Sequence, residues 1–305
     1  MKSRTPKVLH AIGGRTLIGH AIAAGASLEP NRLAVVVRHE RDRVAAHVAE
    51  IAPTALVADQ DEIKGTGRAV QCALSVLDAA AASEQARSGG AGVGGVDGPL
   101  VVLAGDVPLL DGATLAGLLD AHVGDGNAVT ILTTRVADPT GYGRIVRDPA
   151  TGEVAAIVEH KDATEEQRAI DEINSSVYVF DAAVLRNGLS RIGSANAQGE
   201  VYLTDVVAVA RADGGAVRAV VAADPMLVEG VNDRSQLATL GAEMNRRIVT
   251  SWMVDGVTVV DPATTWIDVD VRLARDVTIL PNTQLHGRTV VAEGATIGPE
   301  TTLTD

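Results

Sequence analysis

Hydrophobic positions along the first half of the chain alternate between two spacings. Apolar residues recur at helical intervals over 16–27, 41–51, 66–81 and 112–122, and short apolar runs stand between them at 33–37, 55–58, 100–104 and 128–133. Such runs, bounded by turn residues, mark strands buried on both faces. Their alternation with helices predicts an α/β domain with a mostly parallel sheet between layers of helices. After Val136 the alternation weakens. Pieces rich in β-formers at 144–146, 154–158 and 176–180 interleave with short helical segments at 165–171 and 182–189, as in an insertion that builds the second wall of a substrate cleft. Residues 79–98, rich in Ala, Gly and Ser, have little to pack in their second half and read as a mobile surface loop.

A third spacing begins beyond the helical stretch 234–253. Ile267, Leu273, Ile279, Leu285, Val291, Ile297 and Leu303 recur every six positions. Neither an α-helix nor an ordinary strand has that period. A hexapeptide β-helix does, because each flat face sends one aliphatic residue per hexad into a shared core. The predicted organisation is therefore an α/β domain over 1–234, a helical linker over 235–255 and the start of a β-helix over 256–305. Because a solenoid needs several coils and a cap, more β-helix is expected beyond Asp305 in the intact protein.

Composition narrows the classes. With 305 residues, 46% hydrophobic, the chain can bury a substantial core, and its net charge of −13 argues against a nucleic-acid or membrane-surface partner. Small anionic substrates stay open, given a few local cations. The single cysteine, Cys72, lies in an apolar-periodic segment and reads as a small buried hydrophobe. No run approaches the ~20 apolar residues of a membrane span, and the N-terminus lacks the apolar core of a secretory signal, so a reducing cytoplasm is expected.

The chemistry concentrates where the run Pro99-Leu100-Val101-Val102-Leu103-Ala104 stops at Gly105-Asp106-Val107-Pro108. In open α/β sheets ligands bind just beyond the carboxyl ends of strands, so Asp106 is a candidate ligand for a metal beside a phosphate. Local sequence allows a helix cap or turn residue equally well. His10 and His20 show no metal-type spacing and read as structural.

Asp106 does not stand alone. Pro6-Lys7-Val8-Leu9-His10, Gln60 with Gly65-Thr66-Gly67, Gly141-Tyr142-Gly143-Arg144, Val158-Glu159-His160-Lys161, Glu172-Ile173-Asn174, Tyr202-Leu203-Thr204-Asp205 and Glu229-Gly230-Val231-Asn232 follow in order around it. With the hexapeptide tail, this set closely resembles the bacterial bifunctional N-acetylglucosamine-1-phosphate uridylyltransferase/glucosamine-1-phosphate acetyltransferases. The resemblance implies a Rossmann-like nucleotidyltransferase domain followed by a left-handed β-helix. It also implies transfer of UMP from UTP to N-acetylglucosamine 1-phosphate, giving UDP-N-acetylglucosamine, a cell-wall precursor, and pyrophosphate. By resemblance Lys7 contacts the nucleotide phosphates, Asp106 and Asn232 hold Mg²⁺, and Ala104 and Gly105 border the substrate. Gln60, Gly65 and Thr66 read the base, while Gly143, Glu159 and Asn174 contact the sugar, with Tyr202 and Thr204 nearby. Lys161 and Arg144 are further candidates for anion contacts. A sugar phosphate is already an anion near pH 7, so no general base is required.

Family members begin with a strand and a Gly-rich loop that cradles the triphosphate; here the chain starts at the Met that ends that loop. The resemblance places the acetyltransferase site, with its acetyl-CoA and glucosamine 1-phosphate, beyond Asp305, and implies a homotrimer for the full-length form. The alternatives are a nucleotidyltransferase for another sugar phosphate and a non-catalytic, oligomer-forming protein.

Overall fold

Two adjacent glycines turn the chain back on itself near its start. Gly13 and Gly14 have φ of 54° and 77°, the pair of positive values that a tight hairpin requires, and they join β1 (Ala11–Ile12) to β2 (Arg15–Thr16). Helix α1 (Leu17–Ala26) follows. The structure, a computed structural model, describes residues 1–88 and 95–305. Its contacts divide it into two units. One comprises Met1–His20, Gly105–Leu109 and Gly230–Asp305, the other Ala21–Ala104 and Leu110–Glu229.

The larger unit holds the α/β elements. Parallel strands β3 (Ala34–Val37) and β4 (Leu56–Asp59) are joined through α2 (Arg41–Ile51), and α3 (Thr66–Arg87) comes next. The helix thus continues through much of the predicted loop, because the segment from Ala79 to Arg87 is, Ser83 apart, made of strong helix formers, Ala, Glu, Gln and Arg. Residues 89–94 of that loop lie outside the described residues. Strand β5 (Pro99–Val102) ends two residues earlier than expected, so Asp106 stands in the following loop rather than at the strand's last rung.

Then come α4 (Gly112–Gly124), β6 (Val129–Arg135), β7 (Arg144–Arg147), β8 (Val154–Val158), α5 (Glu165–Arg168), β9 (Glu172–Asp181), α6 (Ala182–Arg191), α7 (Asp205–Ala212) and β10 (Val217–Val221). The predicted helix 165–171 keeps one capped turn, in which Thr164 and Gln167 form a reciprocal capping box, and the chain then enters β9. Helix α7 and strand β10 were not among the predicted elements.

The six-stranded sheet has the order β10-β6-β9-β7-β8, with β5 also on β9. Strands β5, β6, β7 and β10 run one way and β8 and β9 the other, so the sheet is mixed where a mostly parallel one was expected. The reason is the late strand β9. It pairs antiparallel with β6 along one edge, while its other edge is shared between β5 at one end and β7 at the other. Buried Val129, Ile131, Tyr178 and Phe180 of the sheet pack with Leu185 and Leu189 of α6 and Val206 and Val207 of α7. Each large aliphatic residue in such a core contributes about 2–5 kcal/mol relative to Ala.

In the other unit α8 (Arg234–Val254) starts at Asp233, whose carboxylate accepts from Gln236 N at 2.8 Å, and ends before Gly256 at a φ of 99°. Eight short strands follow: β11 (Thr258–Val259), β12 (Trp266–Ile267), β13 (Arg272–Leu273), β14 (Thr278–Ile279), β15 (Gln284–His286), β16 (Val290–Val291), β17 (Thr296–Ile297) and β18 (Thr302–Thr304). They stack in three parallel ladders, β11-β14-β17, β12-β15-β18 and β13-β16. Ile267 pairs with Leu285 and Leu285 with Leu303, so one coil takes three hexads. The aliphatic residue of each hexad faces the coil interior, as the period predicts, and α8 covers the first coil with Ile248, Val249 and Trp252. Asn245 joins helix and coil, its amide donating to Thr265 O at 2.7 Å and accepting from Ile267 N at 3.0 Å. No helix among the described residues is long and apolar enough to cross a membrane.

Candidate functional site

Lys7 follows Pro6 in a single 3-10 turn, and its ammonium lies 2.5 Å from Asp106 Oδ2. The same ammonium donates to Asn232 Oδ1 at 3.0 Å. Three predicted residues from distant parts of the chain therefore meet in one unit. Backbone contacts hold the meeting in place: Val231 N donates to Asp106 O at 2.9 Å, and the N-terminal ammonium donates to Asn232 O at 3.1 Å. The side chains of Lys7 and Asp106 are 38% and 24% exposed, so both stay open to an incoming ligand. Gly105 is explained by packing, because a Cβ there would lie 3.0 Å from Ile18 Cδ1. Ala104 is half-buried in the loop after β5.

In the larger unit a second cluster forms around β7, β8 and β9. A Cβ built on Gly143 would meet Asn174 Cβ at 3.4 Å and Glu159 Oε1 at 3.5 Å, so the three expected sugar contacts converge on one point. Asn174 N donates to Gly143 O at 2.9 Å. Thr204 Oγ1 donates to Glu159 Oε1 at 3.3 Å, which brings in a fourth expected residue. Burial pushes the Glu159 carboxyl up from its ordinary value; the Thr204 hydroxyl opposes this, and the nearby acids Asp162, Asp205 and Glu200 add to it. Tyr202 accepts from Gln198 Nε2 at 2.8 Å and donates to Asp162 Oδ2 at 3.3 Å.

Elsewhere the expectations change. Gly65 is needed for backbone contact within the protein, since at its φ of 116° a Cβ would fall 2.1 Å from Val201 O. Thr66 starts α3 and accepts from Leu203 N at 3.2 Å. Gln60 donates through its amide to Ile63 O at 2.9 Å and Gly65 O at 3.2 Å, which leaves its carbonyl oxygen as the end that can read a ligand.

Arg144 is 1% exposed and cannot serve as a surface anion contact. It donates to Tyr142 O, to His160 Nδ1 at 3.2 Å and to Arg168 O at 3.4 Å, and forms no ion pair among the described residues. Lys161 is exposed and donates to Gln198 Oε1 at 2.8 Å. Cys72 is half-buried. His20 accepts the structural reading: it is buried, meets Ile12 O at 2.9 Å, and burial holds its pKa below the ordinary value.

Two features of the larger unit were not read from the sequence, although Glu172 stands in the Glu172-Ile173-Asn174 motif. Glu172, 2% exposed, is gripped by Arg147 through bonds of 2.8 and 2.6 Å and by Thr133 Oγ1 at 2.9 Å, tying β9 to β7 and β6. Tyr178 accepts from Asn174 Nδ2 at 2.7 Å. The Ser175-Ser176 doublet, which interrupts the apolar pattern of β9, is the sequence signal that marks this place.

A family model described as the MobA-like NTP transferase domain matches residues 1–173. The chain belongs to the MobA-like NTP transferase domain family. Relatives named bifunctional protein GlmU resemble this NTP transferase chain along its whole length. That of Pseudarthrobacter chlorophenolicus is 58% identical and that of Paenarthrobacter aurescens 57%, each over 100% of the chain and 59% of the relative. The Micrococcus luteus relative is 52% identical and is covered over 61% of its length. The chain thus spans about three-fifths of the length of these relatives. The solved structure of a Bacillus anthracis protein, provisionally described as a glucose-1-phosphate thymidylyltransferase and bound to sucrose, shares the fold. Its TM-score is 0.56 at 16% identity, covering 78% of this chain and 86% of that one.

The family implies a divalent metal, and the residues present can be tested against one. Among the described residues no group of three or more His, Cys, Asp or Glu side chains could hold an ion. One carboxylate and one amide oxygen, Asp106 and Asn232, already share a cation in the Lys7 ammonium. Two hard oxygens, supplemented by phosphate and water oxygens, are a donor set that fits a hard divalent ion.

Proposed function

We propose that the NTP transferase domain moves UMP from UTP to N-acetylglucosamine 1-phosphate, releasing pyrophosphate and forming UDP-N-acetylglucosamine, with Mg²⁺ as the metal. The meeting of Lys7, Asp106 and Asn232 carries this reading, since a lysine and two hard oxygens are what a reaction between two phosphates requires. The identity to proteins named bifunctional GlmU supports the choice of substrates. When bound, Mg²⁺ would supply charge neutralisation at the nucleotide phosphates; Asp106 and Asn232 would hold it.

The remaining work falls to this chain's own residues. Lys7 orients and neutralises phosphate oxygens as charge builds on them. The Gln60 carbonyl oxygen accepts from the uracil N–H. Gly143, Glu159 and Asn174 bind and orient the sugar, whose phosphate is the nucleophile. The nucleophile is already an anion, and no side chain need remove a proton. The name of the relatives also supports a second activity for a longer protein, acetyl transfer from acetyl-CoA to glucosamine 1-phosphate; no residue of this chain is assigned to it. A cytoplasmic homotrimer is the corresponding reading of the longer protein.

Mg²⁺-dependent pyrophosphate release from UTP and N-acetylglucosamine 1-phosphate tests the proposal, using this chain beside one extended at its N-terminus with a relative's Gly-rich loop. Release that requires both substrates supports it. Release with glucose 1-phosphate alone favours another sugar-phosphate nucleotidyltransferase, and folded protein silent with every sugar phosphate rejects the activity.

A further inference from the structure

Ser176 is held at a φ of 62°, in the left-handed region that non-glycine residues seldom occupy. It belongs to a bulge in β9. Leu132 of β6 pairs with Val177, but the next residue, Thr133, pairs with Asn174, so Ser175 and Ser176 have no partners on β6. Side chains fasten the bulge: Ser175 Oγ donates to Leu132 O at 2.6 Å and accepts from Val177 N at 3.2 Å.

The distortion brings two side chains together. In a regular strand, residues four apart are separated by about 13 Å, four rises of ~3.3 Å each, and an asparagine cannot reach a tyrosine hydroxyl at that spacing. Here Asn174 Nδ2 lies 2.7 Å from the Tyr178 hydroxyl. The amide's orientation follows from its other contact. Ser176 N, at 3.2 Å, can only donate, so the atom facing it is Oδ1 and the one facing Tyr178 is Nδ2. One N–H of Asn174 is therefore held by the phenol oxygen and the second is left for a ligand. Tyr178 is itself fixed, 2% exposed and packed against Phe180 with ring centroids 5.4 Å apart.

We infer that Tyr178 is a positioning residue for the sugar: by holding one N–H of Asn174 across the β9 bulge, it aims the other at an oxygen of the sugar phosphate. This rests on the uridylyltransferase reading, in which Asn174 faces the sugar. Losing one hydrogen bond that orients a recognition group is worth about a tenfold change.

The test is a double-mutant cycle of Tyr178→Phe and Asn174→Ala in the chain that shows activity, with folding checked by thermal melting. Tyr178→Phe is expected to raise KM for N-acetylglucosamine 1-phosphate about tenfold, to leave KM for UTP unchanged, and to add nothing in the Asn174→Ala background. Equal rises in both KM values, or an undiminished effect in the Asn174→Ala background, would overturn the inference. Failure of the wild type to use N-acetylglucosamine 1-phosphate would reject the uridylyltransferase reading separately. A ligand-free crystal structure of Tyr178→Phe then decides the positioning: an Asn174 amide that stays in place overturns it, and one that swings away supports it.

Discussion

The two clusters of candidate residues are built on opposite principles. Lys7, Asp106 and Asn232 stand on a backbone joined at Val231 and Asp106, but their side-chain contacts are between partly exposed groups that can be exchanged: a metal can replace the ammonium on the two oxygens, and a phosphate can replace the carboxylate on Lys7. Gly143, Glu159, Asn174 and Thr204 are interlocked through backbone and side chains, with Tyr178 bonded to Asn174 and the Glu172 ion pair two residues before it on β9. Groups that neutralise shifting charge must be exchangeable. Groups that recognise a neutral sugar gain by being ordered before it arrives, because binding then orders less. Substitutions in the first cluster should therefore cost activity without stability, and those in the second should cost both.

The largest effect expected is at Asp106. Asp106→Ala should lower Mg²⁺-dependent pyrophosphate release by about 10³-fold, the scale of losing one preorganised electrostatic group. Its melting midpoint should stay within about 2 °C of wild type, since a partly exposed ion pair adds little stability; a much larger drop would break the contrast.

Next is Glu172→Ala, which leaves half-buried Arg147 without its carboxylate and the buried Thr133 hydroxyl without its acceptor, and should cost about 1–3 kcal/mol in urea unfolding. The pair also has a pH signature. Burial alone would raise the Glu172 carboxyl, but Arg147 and Thr133 outweigh it and hold the pKa below the ordinary 4.5. The stabilisation is thus complete above that value and lost as pH falls through the lower folded-state value. Urea midpoints measured downward from pH 6 should fall more steeply for wild type than for Glu172→Gln.

A smaller effect is expected at Glu159, whose carboxyl is raised by burial and so takes up its proton at a higher pH than an ordinary glutamate. Affinity for UDP-N-acetylglucosamine should weaken on acidification in wild type, by up to about tenfold, and Glu159→Gln should flatten that profile. Calorimetric titrations of both proteins across the range check it. Least affected should be Lys161→Ala, at an exposed position whose ammonium donates to Gln198, with either KM changed less than about twofold and stability within about 0.5 kcal/mol.

The parts of the molecule that were legible beforehand are those whose physics repeats. Hexad spacing carries the β-helix completely, because Ile267, Ile279 and Leu285 each answer to the same interior. Alternating helices and apolar runs gave the α/β class, but not β9's place between β5 and β6, since a long-range antiparallel pairing leaves no local period. Residues 79–87 look like loop by composition and are helix, because alanines carry no face and reveal no periodicity. Among the candidate site residues, Asp106 stood out locally, just past the end of an apolar run, whereas Lys7 and Asn232 were read only through the ordered set of motifs. Tyr178 was hidden because a buried tyrosine within an apolar run reads as core. Arg144 misled for the opposite reason: a charged residue next to a glycine loop suggests a surface contact, and only the fold places it inside.

The β9 bulge has a consequence for how this strand can change length. Side chains on a strand alternate between faces, so shifting the register of β9 by one residue would send every later side chain to the opposite face and put Tyr178 and Phe180 out of step with the core they share with α6 and α7. Relative to β6 the bulge holds two extra residues, Ser175 and Ser176, and two is the smallest number that restores the alternation. The strand acts as a message read in pairs. It accepts an even shift as a local comma, and an odd one at the same place would be a frameshift that exchanges its two buried faces.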